Sequence, residues 1–440
     1  MGSLFAALTT AISGLDAQST AIGNISDNLS NAQTTGYKAV GTAFEELVNS
    51  SSATVNNPGG VQALPSYQND VQGSITSSNT STSLAISGQG YFAVGTATVG
   101  TTGATTFTGA TYYTRQGDFT LNRSGYLVNS SGFYLNGYSV NASTGVVNTS
   151  TTSPIQISAT LDNPVKTSLV SYNANLPSNA TSGYVSSTST VLAYDSEGTT
   201  HDINYTWTKT STANQWDLQV TVPDATYTTS IPFTFNDGAL GTAGTVEAIG
   251  AYSSSASAPS PYSVSSGTPD VTLSATFPGF TTGQTIDLNF GDAYGSSTGL
   301  TQFANTSSTV TVNNFSQNGL PQGSFNSLSI SKDGFVSINY SNGTTRSIAQ
   351  IPIVQFYAQD QLQRVSGGAY EATIDAGTAR YNTPGIAGAG TLSSSSLESS
   401  NVDIANEFTG LIEAQQIYSA NAKIVTTDSQ LLQVTLSMVQ

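Results

Sequence analysis

The chain has no cysteine, and histidine, methionine and tryptophan are scarce. Its 440 residues include no Cys, one His, two Met and two Trp. Without cysteine there can be no disulfide, thiolate nucleophile, iron–sulfur cluster or zinc site with thiolate ligands. A single imidazole also excludes any one-chain site that needs two. These absences remove several classes of metal and covalent chemistry from the functions that the sequence allows.

Charge is sparse and one-sided. Charged residues make up 8% of the chain, against about 25% in an ordinary globular protein. Ten Lys and Arg stand against 26 Asp and Glu, giving a net charge of −16, and the basic residues are scattered along the chain. Because phosphate binding needs clustered cations, this pattern disfavours nucleic-acid binding. An acidic, polar chain without cysteine is typical of an exported or extracellular bacterial protein.

Long apolar runs are also missing. No stretch of about 18 apolar residues is present, so we predict no membrane insertion. The first basic residue is Lys38, so we expect no cleaved secretory signal at the start of the sequence. The length allows about three domains at roughly 150 residues each, with cores that need no disulfide.

Both ends of the chain carry apolar residues at heptad spacing, which predicts helices. We predict helix over residues 1–48 and 402–440, the second beginning at a capping box in Ser400–Asp403. Neither helix can bury its apolar stripe alone. The two helices could pair only with each other, but long heptad segments at both ends favour further packing against neighbouring subunits. The predicted assembly interface comprises Leu4, Leu8, Leu15, Ile22, Ile25, Leu29, Ile404, Phe408, Leu411, Tyr418, Val425, Leu432, Leu436 and Val439.

The middle of the chain alternates short apolar segments with Gly, Ser, Thr and Asn, which predicts β-strands. The predicted fold class is mainly β with α-helical termini. The terminal helices pair as a coiled-coil-like domain, and of two β-rich domains the second is inserted in the first. The predicted domains are a terminal helical assembly domain (1–48 and 400–440), linkers or extended arms (49–83 and 376–399), a first β domain (84–165 and 301–375) and a second, outer β domain (166–300).

No motif in the sequence points to catalysis. His201 lies near Asp195 and Glu197, but no nucleophile elbow accompanies it, and the acidic turn lacks the spacing of a calcium loop. Gly88 and Gly90 precede a predicted strand and are more typical of a tight turn than of a phosphate cradle. We therefore predict no catalytic residue, no cofactor and no metal.

Two short segments near the ends carry a recognisable pattern. The signature residues are Asn28, Asn31, Gly36, Tyr37, Lys38, Asn401 and Val402. With the helices beside them, these segments resemble the paired end signatures of bacterial flagellar rod and hook proteins. Residues 86–92 and 113–119 look like β-domain motifs of that family, and 193–201 is similar to an insert found in hook proteins. Ser30 and Gln416 depart from the pattern, which commonly has Ala and Arg there.

The resemblance implies a structural subunit of the flagellar hook that is not an enzyme. Such a subunit self-assembles into a flexible tube, a universal joint that transmits motor torque from rod to filament. Its implied partners are further copies of itself, the flagellar rod, the hook cap, the hook–filament junction proteins and the flagellar export apparatus. The implied location is the extracellular hook, reached by flagellar type III export. The alternatives are a distal rod protein of the same family and a secreted adhesin or glycan-binding β protein.

Overall fold

The computed structural model describes residues 2–51, 56–99, 105–141, 144–157, 161–225, 227–239, 241–250 and 262–437. Helix α1 (Gly2–Ser30) lies near the start of the chain and helix α2 (Ile404–Ser437) near its end. A short 3₁₀ helix spans Gln359–Gln361. All other regular structure in the described residues is β.

The strands fall into three groups along the chain. The first group is β1 (Val40–Ser51), β2 (Asn56–Tyr67), β3 (Ile75–Ser77), β4 (Leu84–Ser87), β5 (Tyr91–Val99), β6 (Thr105–Thr114), β7 (Thr120–Leu121), β8 (Leu127–Val128), β9 (Tyr134–Val140) and β10 (Val147–Pro154). The second group is β11 (Leu169–Asn175), β12 (Ser189–Tyr194), β13 (Thr200–Lys209), β14 (Gln215–Val222), β15 (Tyr227–Phe235), β16 (Val246–Ile249), β17 (Tyr262–Val264), β18 (Asp270–Ala275), β19 (Gln284–Asn289) and β20 (Thr311–Gln317). The third group is β21 (Phe325–Ile330), β22 (Phe335–Tyr340), β23 (Thr345–Gln350), β24 (Ile353–Gln355), β25 (Gln363–Val365), β26 (Ala369–Glu371), β27 (Arg380–Asn382), β28 (Thr391–Ser394) and β29 (Ser396–Glu398).

The chain divides into two compact units. Unit 1 contains residues 1–159, 326–339 and 345–440, and unit 2 contains residues 160–325 and 340–344. Unit 2 is thus inserted in the sequence of unit 1. The predicted fold class, mainly β with paired terminal helices and one β-rich unit inserted in another, is confirmed.

Unit 2 contains two five-stranded sheets. Their strand orders are β17-β18-β19-β11-β20 and β12-β13-β14-β15-β16. Strand β13 shows why these residues form a sheet, since buried and more exposed side chains alternate along it with the period of two that a strand imposes. The buried side chains meet in one aromatic core, where Trp207 Nε1 donates a hydrogen bond to Tyr172 at 3.1 Å and Tyr172 stacks on Tyr205.

Unit 1 is organised around one large sheet. The sheet has 13 strands, with β21-β22-β23-β9-β5-β6-β26-β25 as its main path. The turn between β21 and β22 contains Asp333 and Gly334, a pair of residues favoured in hairpin turns, and Gly334 adopts a φ of +85° there. Strands β28 and β29 pair with β4 and β3, so the chain returning toward α2 is attached to the chain leaving α1.

The prediction of helix over residues 1–48 is wrong beyond Ser30. Strand β1 begins at Val40 and pairs with β2, with Val40 opposite Tyr67 and Glu45 opposite Gln62. The segments predicted as linkers or extended arms contain short strands, with β2 and β3 in 49–83 and β27, β28 and β29 in 376–399. These strands contain few apolar residues and are held by backbone pairing, so hydrophobic periodicity gave no sign of them.

Candidate assembly site

The two terminal helices lie side by side and run in opposite directions. Asn28 Nδ2 donates a hydrogen bond of 2.9 Å to Glu407 Oε1, Gly410 lies beside Ile25, and Gly14 lies beside Asn421. A Cβ atom at Gly14 would lie 2.8 Å from Asn421 Nδ2, so only glycine allows this approach without a shift. We call α1 and α2 together the helix pair.

The helix pair buries small and polar side chains. The buried residues are Ala11, Ala17, Ala21 and Asn28 on α1, and Ala414 and Asp428 on α2. Small side chains let two helices approach closely, which leaves the larger side chains at the margins of the contact.

The predicted heptad residues lie mainly at these margins. Half-buried side chains are those of Leu8, Leu15, Ile22, Ile25, Leu29, Leu411, Val425 and Leu432, whereas those of Ile404, Phe408 and Tyr418 are exposed. The side chains of Leu4 and Leu436, and Val439 as a whole, lie outside the described residues. The heptad pattern thus marks the helix pair but not the residues it buries most deeply.

An apolar surface remains on the outside of the helix pair. It consists of Phe5 and Ile12 on α1 and Ile404, Phe408, Ile412, Ile417, Tyr418 and Ile424 on α2, which are between 41% and 56% exposed. We call this set the outward apolar face. Ile404, Phe408 and Ile412 are spaced four residues apart and so lie together on one side of α2, where exposed large apolar side chains often mark a contact surface.

The hairpin of β1 and β2 packs against α1, a contact that the sequence reasoning missed. The Val61 N–H donates to Ser13 Oγ at 3.1 Å, and Asn24 Nδ2 donates to Thr42 Oγ1 at 2.8 Å. The turn signal at 34–36 was visible in the sequence. The β-branched and aromatic residues that follow it, Val40, Thr42 and Phe44, could have indicated a strand.

Asn28 joins three elements through its side chain. Its Oδ1 accepts hydrogen bonds from the Val40 N–H at 2.9 Å and from the Tyr37 hydroxyl at 3.2 Å. Its Nδ2 donates to the Val40 carbonyl at 3.0 Å as well as to Glu407. Because the side chain is buried and fully used, it fixes the angle at which α1, β1 and α2 meet.

The turn after α1 depends on Asn31 and Gly36. Asn31 Nδ2 donates to the Asp27 carbonyl at 2.9 Å, and its Oδ1 accepts from the Thr34 hydroxyl at 3.2 Å. Gly36 has a φ of +67°, and a Cβ there would lie 2.7 Å from the Arg115 carbonyl carbon. Glycine is therefore required at this position both by its φ and by the space available.

A buried group of three charges lies next to this turn. Lys38 Nζ lies 2.6 Å from Glu398 Oε1, and an Arg115 guanidinium nitrogen lies 3.1 Å from Glu398 Oε2. All three side chains are at most 1% exposed. Burial lowers the pKa of Lys38, while the carboxylate of Glu398 opposes that shift. We call these residues the charged triad, of which only Lys38 was predicted as a signature residue.

Asn401 and Val402 bring the start of α2 to the same place. Asn401 Oδ1 accepts from the Ala39 N–H at 2.7 Å, and its Nδ2 donates to the carbonyls of Gln68 and Val71. Val402 is half-buried beside it. Helix α2 is capped by Asp403, whose Oδ1 accepts from the Ala405 N–H at 2.9 Å, so the predicted capping box is replaced by a cap at Asp403.

Arg364 is a further residue that sequence reasoning missed. Its guanidinium lies over the rings of Tyr37, Tyr67 and Tyr370, and it donates a hydrogen bond to the Lys38 carbonyl. Burial raises the pKa of Tyr370 to about 12, although Arg364 acts in the opposite direction. An isolated arginine far along the sequence offers no local signal of such a contact.

His201 is held inside unit 2 by its neighbours. Its Nε2 lies 3.1 Å from Asp195 Oδ2, its Nδ1 lies 3.4 Å from Asp224 Oδ2, and its ring stacks on Phe277. Burial by itself raises the pKa of Asp195, but His201 and two backbone N–H groups together hold that pKa below its usual value. An imidazole between two carboxylates and a phenyl ring serves to join a turn to a strand.

The described residues offer neither a cluster of metal ligands nor a helix suited to crossing a membrane. Within the described ranges, no group of three or more His, Asp or Glu side chains is arranged to hold a metal ion. Neither helix, over its described length, combines the length and apolar character that a bilayer crossing needs.

Comparison with known protein families gives matches along most of the chain. The matching families are Flagellar basal body rod protein (residues 8–38), Flagellar hook protein FlgE/F/G D1 domain (85–193), Flagellar basal body protein FlaE D2 domain (160–320) and Flagellar basal body rod FlgEFG protein C-terminal (393–438). The first and last of these families match the segments that form the helix pair.

Relatives that match nearly the whole chain share the name Flagellar hook protein FlgE. The Flagellar hook protein FlgE of Brucella suis is 31% identical over 444 residues, which cover 99% of each chain. That of Rhizobium meliloti is 32% identical over 446 residues with the same coverage, and that of Salmonella typhimurium is 28% identical over 97% of this chain and 98% of its own. The solved structure of Helicobacter pylori flagellar hook protein FlgE2 matches 72% of this chain and 98% of its own, with 13% identity and a TM-score of 0.45.

Terminal helices that pair beside the Asn28 and Asn401 contacts, with β-rich units between them in the sequence, define a subunit of the flagellar rod and hook class. Within this class, the full-length relatives at 31% and 32% identity are hook proteins and not rod proteins. The chain belongs to the family of flagellar hook proteins. It is therefore a structural protein of the bacterial flagellum and not an enzyme, as predicted, and the adhesin alternative is not favoured.

Proposed function

We propose that the chain polymerises through its helix pair into the hook, a curved tube that transmits torque from the motor's rod to the filament. The outward apolar face carries this proposal. Burying a large aliphatic side chain completely is worth about 1.5–3 kcal/mol, so a half-exposed one gains about 1 kcal/mol on contact. Eight such side chains supply several kcal/mol per subunit, enough to drive association when many copies meet.

The contact that this face makes is expected to be heterologous. A head-to-tail contact between different patches of the same subunit does not close on itself and produces an open helical assembly. In this arrangement the predicted interface residues, together with the signature residues that hold α1, β1 and α2 at fixed angles, form the wall of the tube. The charged triad and Asn28 keep each subunit's helix pair oriented for that contact.

The predicted domain division gives each part of the subunit a mechanical role. The terminal domain (1–48 and 400–440) forms the inner tube, and the arms (49–83 and 376–399), the first of which contains β2, connect it to the first β domain (84–165 and 301–375). The second β domain (166–300) projects outward. Polar β surfaces with few charges can slide against neighbouring copies with little loss of ion pairing, which allows the tube to bend while the helices resist twisting.

Export through the flagellar type III apparatus to an extracellular location is part of this proposal. The absence of cysteine supports it, because an unfolded chain without thiols forms no disulfide that would obstruct a narrow channel. The proposed partners at the ends of the tube are the rod, the hook cap and the hook–filament junction proteins. Isolated helices with heptad stripes are marginal in water, so we expect α1 and α2, which already pair within one chain, to gain further stability on assembly.

Electron microscopy of purified protein, polymerised with a precipitating salt, tests the proposal. We expect curved tubes from the full-length chain and none from a chain lacking residues 402–440. The double variant Phe408→Gln/Ile412→Gln should lose tubes while staying folded by circular dichroism, whereas the matched control Gln415→Ala/Gln416→Ala should form them. Straight tubes would indicate a rod-like role, and dispersed particles of the full-length chain at every condition would contradict the proposal.

A further inference from the structure

A groove opens in unit 1 where α1, α2 and β1 meet. Its floor is made by small residues, Ala21, Gly41, Gly410 and Ala414, and these leave a cavity of about 250 Å³. Exposed apolar side chains, Phe44 and Ile417 among them, stand at its edge. We call this the hairpin groove. It is smaller than the roughly 300–1,000 Å³ of a typical small-molecule pocket, so it suits one or two side chains of a protein partner.

The hairpin groove is acidic at its mouth. Glu413 is exposed at the edge, and Glu407 lies half-buried against Asn28. Burial raises the pKa of Glu407, and the nearby carboxylate of Asp403 raises it further, while the hydrogen bond from Asn28 lowers it. An apolar side chain next to a cation is therefore the chemistry that fits the groove best.

The helices and the hairpin contain very few cations to meet this acidity. Residues 2–67 and 401–437 hold eight carboxylates but only two lysines, and Lys38 is already used in the charged triad. The other lysine, Lys423, is exposed on α2 and forms no ion pair with any described residue. Next to it, Ile424 is 47% exposed. Lys423 and Ile424 thus offer, at neighbouring positions of α2, the cation and the apolar side chain that would complement the groove.

We propose that Lys423 and Ile424 of one copy dock in the hairpin groove of the next copy, with the ammonium of Lys423 beside Glu413. This inference rests on the proposed polymerisation and specifies one of its contacts. Glu413 and Lys423 are ten residues apart on one helix, which is about 15 Å along its axis. The two cannot meet within one chain. In the heterologous arrangement proposed above, each copy offers Lys423 to one neighbour and Glu413 to another, so the contact repeats from copy to copy and leaves the assembly open-ended.

A cysteine pair gives a direct test, since the chain has no cysteine of its own. In the double variant Glu413→Cys/Lys423→Cys, an intrachain disulfide is excluded because disulfide Cα atoms lie within about 7 Å of each other. We expect oxidation of preformed tubes to give a ladder of covalent multimers on a non-reducing gel, and oxidation of dilute monomer to give none. The control pair Gln416→Cys/Gln430→Cys, at exposed polar positions of α2, should give no ladder.

A charge exchange measures the same contact without crosslinking. Lys423→Glu should raise the protein concentration needed for polymerisation about tenfold, because it replaces an attraction by a repulsion. The double variant Glu413→Lys/Lys423→Glu should return that concentration to within about threefold of the parent chain. Tubes that give no ladder, or a Lys423→Glu variant that polymerises like the parent, would overturn the docking contact alone. A parent chain that never polymerises would overturn both this contact and the proposed function.

Discussion

Unit 2 and the helix pair differ in the size of the side chains that they bury. In unit 2, Trp207, Trp216 and Phe233 are at most 1% exposed and pack in one aromatic core. In the helix pair, alanines, Asn28 and Asp428 are buried, while Phe408 and Ile412 remain about half exposed. Unit 2 therefore has a core of large side chains, although some, such as Leu192, remain exposed, whereas the contact between α1 and α2 buries mainly small and polar residues and leaves large apolar ones in water.

The largest effect is expected from Glu398→Gln. This substitution tests whether the charged triad stabilises unit 1 as the aromatic core stabilises unit 2. The substitution leaves Lys38 and Arg115 buried without a carboxylate, and removing one partner of a buried pair costs about 3–5 kcal/mol. Urea denaturation followed by fluorescence measures this loss. Lys38→Met should cost less, because one cation then remains for one carboxylate, and the exposed control Glu371→Gln should change stability by less than about 0.5 kcal/mol.

The core of unit 2 provides the next test. Leu218 is fully buried and Leu192 is 49% exposed, so the same substitution can be made in two environments. Leu218→Ala should lower the free energy of unfolding by about 3 kcal/mol through lost burial and a cavity. Leu192→Ala should lower it by less than about 0.5 kcal/mol. Equal effects in thermal or urea unfolding would mean that unit 2 has no specific core.

Substitution of Asn28 tests how much its hydrogen bonds stabilise the contact between the two helices and the β1–β2 hairpin. Asn28→Ala leaves the N–H and carbonyl of Val40 without their partner, which should cost about 1–3 kcal/mol. Asn31→Ala, which removes only hydrogen bonds within the turn after α1, should cost about 0.5–1 kcal/mol. Hydrogen exchange at the Val40 amide distinguishes the two variants, because we expect it to become rapid only in Asn28→Ala. Rapid exchange in both variants would contradict the proposed role of Asn28 in holding β1 against the helices.

The pH dependence of the helix pair gives a smaller effect with a defined sign. Because burial raises the pKa of Glu407 above its usual value of about 4.5, its protonated form is favoured in the folded chain. The stabilisation from this group is therefore present below about pH 4.5 and is lost as the pH rises through the raised pKa.

Glu407→Gln removes this pH dependence. The variant should match the parent chain near pH 4 and be more stable at pH 7, by less than about 1 kcal/mol because the side chain is only partly buried. Urea titrations at the two pH values measure the difference. Glu407→Ala is the control, since it also removes the acceptor for Asn28 and should show no such gain.

The smallest effect on the isolated chain is expected on the outward apolar face. Ile412→Ala should change the free energy of unfolding by less than about 0.5 kcal/mol, because the side chain is 56% exposed. The same variant should raise the protein concentration needed for polymerisation. A large loss of stability without any effect on polymerisation would mean that Ile412 stabilises the single chain, as the core residues of unit 2 do, and not the contact between copies.

The sequence by itself determined the fold class, the helices at both ends, the insertion of one β-rich unit in another and the membership of a flagellar structural family. Local periodicity and turn chemistry carry the first three of these, whereas the family was recognised by resemblance. The same resemblance singled out Asn28, Gly36, Lys38 and Asn401, because they match the end signatures of flagellar rod and hook proteins. The sequence did not indicate that Ala17 and Ala21 are among the most buried residues of α1, since apolar spacing selects a face of the helix and not the distance to its partner.

Only the tertiary structure decided the rest. Glu398 and Arg115 join Lys38 from positions far apart in the sequence, and the pairing of β1 with β2 depends on backbone hydrogen bonds between segments that no local pattern connects. The hairpin groove exists because α1, α2 and β1 meet at one place. Contacts between distant segments depend on three-dimensional packing, so a sequence read locally predicts the elements but not the surfaces they form together.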